Sequence, residues 1–129
     1  MATPNLIPFT GSSVDLAFRD NETWQDAYQF GQVGDTSWSF NGCTFHMDVK
    51  GDKDDVTPMF QLNSANGRIL LIDAVQRIVQ LDAVYTDVQT ALKPGRFQYD
   101  LVMLDGSMPP IRTVLMYGRI RLHRGVTQS

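Results

Sequence analysis

The sequence predicts an all-β domain, and three observations carry the prediction. Apolar residues alternate with polar ones over most of the chain instead of recurring every three or four positions, which is the pattern of strands with one buried face. Asn41-Gly42, Asn66-Gly67 and Asp105-Gly106, dipeptides that tolerate positive φ, interrupt the alternation at turn spacing. Only one short stretch shows helical spacing. With 129 residues, the chain has the size of one domain that buries about two-thirds of its surface.

Residues 1–13 read as an extended N-terminal arm outside the core, because Pro4 and Pro8 flank Leu6, Ile7 and Phe9. Such an apolar arm either docks on a neighbouring subunit, by adding to a sheet edge, or is a floppy terminus or one folded back on its own domain. The remainder, 14–129, reads as a single sandwich domain. Val14, Leu16 and Phe18 alternate with Asp15, Ala17 and Arg19, while Trp24, Tyr28 and Phe30 share one parity. The clearest strand sets Cys43, Phe45, Met47 and Val49 against Thr44, His46, Asp48 and Lys50. Phe60 and Leu62 again share a parity, whereas Arg68 to Ile72 and Gln76 to Leu81 are short β-branched-rich runs with no assignable inward face. Phe97, Tyr99, Leu101 and Met103 alternate with Arg96, Gln98 and Asp100, and the last strand, Ile111 to His123, is long and expected to bend or bulge at Gly118.

Val84, Val88 and Leu92 are spaced i, i+4, i+8, Thr86-Asp87-Val88-Gln89 fits a capping box, and Pro94-Gly95 ends the turn. One short helix is therefore expected near residues 86–92. Hairpins are expected at Asn66-Gly67 and Asp105-Gly106, while Asn41-Gly42 marks either a hairpin or a corner where the chain changes sheet. About eight short antiparallel strands with one helix between two of them fit an immunoglobulin-like β-sandwich.

The net charge of −3 conceals an asymmetry: residues 1–105 hold 7 basic and 14 acidic residues, whereas Arg112, Arg119, Arg121 and Arg124 follow with no acid among them. That polarity suits head-to-tail contacts between copies, and it also suits an anionic polymer. Tyr117, Arg119 and Arg121 share a parity with Leu115 on the last strand. A nucleic-acid-binding module would use Tyr117, Arg119, Arg121 and Arg124, but the acidic overall balance disfavours it. With the arm, these residues give the expected assembly contacts: Leu6, Ile7, Phe9, Leu115, Tyr117, Arg119 and Arg121.

Catalysis needs a nucleophile, a base and an orienting group, or ligands at metal spacing. His46 falls on the outward side of its strand and His123 lies among arginines, so both read as solvated. Asp52, Asp54 and Asp55 share one loop with Lys53 but lack the ligand spacing of a calcium loop. Cys43, the lone cysteine, has inward parity and reads as a core filler. No catalytic residue, metal site or cofactor is predicted, and no apolar run is long enough to span a membrane.

The run Leu92-Lys93-Pro94-Gly95-Arg96-Phe97-Gln98-Tyr99-Asp100-Leu101, the later Leu115-Met116-Tyr117-Gly118-Arg119-Ile120 and the closing Val126-Thr127 resemble small bacteriophage virion proteins. The likeness is to tail and baseplate members, including the N-terminal domain of baseplate upper proteins, and it covers roughly residues 14–127. The resemblance implies a non-enzymatic building block, made in the host cytoplasm and residing in the virion. Its partners would be other copies of itself and other virion proteins. A capsid decoration protein or a neck or fibre adaptor would have the same character.

Overall fold

The computed structural model describes residues 4–52 and 54–126. Residues 1–3 of the expected arm, Lys53 of the acidic loop and Thr127 of the closing pair lie outside them.

Among the described residues, ten strands and one helix follow one another along the chain. They are β1 (Asn5–Ile7), β2 (Ser12–Ser13), β3 (Leu16–Arg19), β4 (Trp24–Phe30), β5 (Thr44–Lys50), β6 (Phe60–Asn63), β7 (Ile69–Asp73), β8 (Ile78–Ala83), α1 (Tyr85–Ala91), β9 (Gly95–Leu104) and β10 (Arg112–His123). One sheet has the order β1-β4-β8-β7. The other has the order β2-β10-β9-β5-β6, with β3 also pairing β10. The two sheets share one apolar core, the arrangement of an all-β sandwich. Both sheets are mixed, not purely antiparallel: β1 runs parallel to β4, and β2 and β3 run parallel to β10.

Alternation builds the core as expected. Phe45, Met47 and Val49 of β5 are buried, as are Phe97, Tyr99 and Leu101 of β9. They face Trp24, Tyr28 and Phe30 of β4, and Val79, Leu81 and Ala83 of β8 now have an inward assignment. Aromatic rings join the layers: Phe18 stacks on Trp24 with centroids 4.4 Å apart, and Phe40 meets Phe30 at 6.0 Å and Phe45 at 5.1 Å. Each such fully buried side chain contributes roughly 1.5–3 kcal/mol.

The arm is the first correction. Its described part belongs to both sheets: β1 edges the small sheet with Ile7 buried in the core, and β2 edges the large one. The chain crosses between them at Pro8 to Gly11, where the Gly31 N–H donates to Ile7 O and the Gly11 N–H to Leu115 O. Extended backbone suits a sheet edge, and Pro4 and Pro8 flank β1 without interrupting it.

Three turn assignments resolve differently. Asp105-Gly106 is a β9–β10 hairpin, with the Asp105 carboxylate accepting from the N–H groups of Ser107 and Ile111. Asn41-Gly42 is a corner, because β4 and β5 lie in different sheets. Asn66-Gly67 is not a hairpin, for β6 and β7 also lie in different sheets. There the Asn66 amide makes a local knot, accepting from the N–H groups of Asn63 and Arg68 and donating to Gln61 O. The helix begins one residue earlier than expected and has Val84 at its N-cap with no side-chain cap. Thr86 therefore lies inside α1, and its carbonyl accepts from Thr90 Oγ1.

The last strand does not bulge at Gly118. Its register against β9 shifts between Val114 and Met116, so the extra residue is Leu115 and two consecutive side chains, Leu115 and Met116, enter the core. Gly118 serves close approach instead: a Cβ there would collide with the carbonyl group of Val14.

Candidate assembly surface

The outer face of the large sheet is ordered by its ladder register into rows of side chains. Ala17, Arg121 and Arg96 form one row across β3, β10 and β9. Arg119, Gln98 and Lys50 form the next, across β10, β9 and β5. Tyr117, Asp100, Asp48 and Gln61 form the third. Residues directly opposite in a ladder have Cβ atoms about 4.5–5.5 Å apart. Two of these rows therefore oppose like charges, Arg121 against Arg96 and Asp100 against Asp48. Each such pair costs the fold on the order of 0.2–1 kcal/mol.

The fold does not neutralise this arrangement. Among the described residues the one ion pair is Arg68 with Asp87, at 3.1 Å, elsewhere on the molecule. Asp48 accepts from the Gln61 amide at 3.1 Å, a neutral partner. A concavity of about 950 Å³ lies on this face, lined among others by Lys50, Arg112, Arg119, Tyr117, Asp48 and Asp100. Its surface presents both signs of charge around an exposed tyrosine, the composition of a protein-binding patch in which an aromatic ring and arginines act as anchors. Carboxylates among the cations make it a poor fit to a polyphosphate chain, which needs a basic track.

The expected contact residues divide between surface and core. Tyr117, Arg119 and Arg121 lie outside the core and on one face. Leu115 is fully buried by the bulge and Ile7 lies in the core, so neither reaches a partner. Leu6 projects from the outer face of the small sheet, 55 % exposed, on the other side of the molecule. Phe9, 73 % exposed, sits at the crossing between sheets beside a smaller depression that Trp38 and Thr113 also line. Sequence reasoning missed Lys50, Arg96, Arg112, Asp48 and Asp100. The outward parity of all but Arg112 was visible, but the register that sets like charges opposite one another was not; Arg112 shares the sequence parity of the buried Met116 and Ile120 and comes to this face through the bulge at Leu115.

Other candidate groups serve the fold. Cys43 packs partly buried against the core, and burial together with the charge of Asp105 pushes its thiol pKa up. Asp20 accepts from the Gly125 N–H at 2.7 Å, fastening the chain beyond β10. His46 and His123 are exposed.

Arg77 is the unforeseen residue. It is fully buried at a positive φ of 59° in the β7–β8 turn. Its guanidinium donates to the carbonyls of Phe30, Gln32, Asp35, Trp38 and Val75 and lies 4.9 Å from the centre of the Trp38 ring. One side chain thus holds the β4–β5 connection from Phe30 to Trp38. No group of three or more His, Cys, Asp or Glu side chains converges among the described residues. Neither a protein-family model nor a curated protein matches the chain.

Proposed function

We propose that the chain is a bacteriophage virion structural protein of the tail or baseplate type, acting through protein–protein contacts with no catalytic step. The observation that carries the reading is the outer face of the large sheet, where Arg96 and Arg121, and Asp48 and Asp100, stand like charge to like charge with no ion pair among the described residues. A surface kept electrostatically unfavourable in the isolated chain is explained by a partner that supplies the missing counter-charges. The run of Pro94-Gly95 into an aromatic strand ending Tyr99-Asp100-Leu101 adds the likeness to virion proteins.

The sandwich itself is proposed to be immunoglobulin-like. The orders β4-β8-β7 and β10-β9-β5-β6, with a first edge strand parallel to the last strand and a short helix leading into β9, support that topology. Mass spectrometry of purified particles of the phage encoding the chain tests the functional reading. Recovery in fixed stoichiometry with known tail components is the expected result, and absence from particles contradicts it.

A further inference from the structure

We infer that the protein binds a second copy of itself head to tail, the outer face of the large sheet of one copy seating on the outer face of the small sheet of the next. The inference rests on the assembly reading above and identifies the partner of that face's cations, Arg96, Arg121, Arg119 and Lys50; it supplies no counter-charge to Asp48 and Asp100. Two rows of neutral side chains cross the small sheet on its outward parity, Leu6, Gln29 and Ile78 in one and Ala27, Gln80 and Leu70 in the other; Ala27 and Gln29 are buried, and Leu6 and Leu70 are exposed. Leu6, Leu70 and Ile72 are all at least 37 % exposed. The charges flanking these rows are Asp73, opposite Ile78, and Asp82, opposite Gln25.

Among the described residues, no free cation answers those carboxylates from the same sheet. Arg68 is paired with Asp87, and Arg77 is buried among carbonyls. Lys50, Arg96, Arg112, Arg119 and Arg121, which make no ion pair among the described residues, belong to the opposite sheet. Among the described residues, one side of the sandwich therefore offers the five cations against the three carboxylates Asp15, Asp48 and Asp100, a positive excess beside Tyr117, and the other offers carboxylates beside exposed aliphatics. Because the complementary patches lie on opposite sides of a two-layer domain, a symmetric pair cannot join them, and the contact repeats as an open stack or closes as a ring. A face of four strands spaced about 4.8 Å is smaller than a standard stable interface, so each contact is weak alone and gains from a nucleating assembly.

The test is charge reversal with complementation, followed by sedimentation equilibrium up to about 1 mM protein at low salt, where surface charges are least screened. Wild type is expected to self-associate, with an association constant that falls about tenfold when salt is raised to physiological strength. R119E/R121E alone and D82K alone are expected to remain monomeric, and their equimolar mixture to associate again because each supplies the other's complement. L6K is the second small-face variant, in case D82K disturbs the sheet. Wild type that stays monomeric throughout, a mixture that stays monomeric, or a single-face variant that associates like wild type overturns the inference. Particle mass spectrometry, which does not depend on self-association, separates that failure from failure of the virion reading.

Discussion

Tyr99 donates its phenolic hydroxyl to the backbone carbonyl of Val14 at 2.6 Å, tying β9 to the segment that joins β2 and β3. The same carbonyl occupies the space that a side chain at residue 118 would need. A tyrosine, a glycine and one peptide group thus fix the N-terminal edge onto β10 and complete the sheet whose outer face carries the charges.

Tyr99→Phe is expected to cost about 1–2 kcal/mol, because it leaves the Val14 carbonyl without that donor while the ring still packs. Equilibrium urea unfolding measures it. An unchanged midpoint would show that the bond adds nothing to the edge.

Gly118→Ala is expected to cost about 1–3 kcal/mol by forcing apart backbone that is already in contact. Its φ is not in the left-handed region, so the requirement is space and not conformational freedom. A crystal structure of the variant should show residues 14 and 15 displaced from β10; an undisturbed edge would contradict the account.

Arg77→Met is expected to cost roughly 3–5 kcal/mol, since it strips donors from carbonyls on five residues. Arg77→Lys should recover only part of that, because a point charge cannot reproduce the planar fork. Hydrogen exchange should localise the loosening to residues 31–38. Wild-type stability in the methionine variant would sink this reading.

Alkaline pH supplies a fourth test. Burial raises the pKa values of Tyr28 and Tyr99 well above the ordinary 10.0, with the Asp26 charge adding to the first and the Asp15 charge to the second. A raised folded-state value means that the stabilisation is fully present below about pH 10 and is lost as pH rises through the folded-state range. Urea midpoints should fall above about pH 10, with these two phenols ionising as the protein unfolds. Ionisation of both in the folded protein at about pH 10 would contradict their burial.

Much of the fold was legible because period-two alternation reports burial directly. Phe45, Met47 and Val49 could face only one way, and so could Phe97, Tyr99 and Leu101. Pairing was less legible, because turn chemistry marks a reversal without naming the partner strand. Asn66-Gly67 looks like a hairpin yet crosses between sheets. The bulge at Leu115 hid inside the unbroken apolar run Val114-Leu115-Met116, where a slipped parity leaves no polar residue to betray it. Ile7 was hidden similarly, since a three-residue edge strand flanked by prolines carries too little pattern to separate it from a free arm. Of the candidate surface, the Tyr117, Arg119 and Arg121 stripe was readable from one strand, whereas its like-charge pairing exists only across strands.

Urea unfolding of R121E tests the central claim most directly, because the introduced carboxylate would face Arg96 and replace a repulsive cross-strand pair with an attractive one. A face held ready for a partner predicts a variant about 0.5–1 kcal/mol more stable than wild type. An R121E protein less stable than wild type would mean that the arginine pair already serves the isolated fold, contradicting the account.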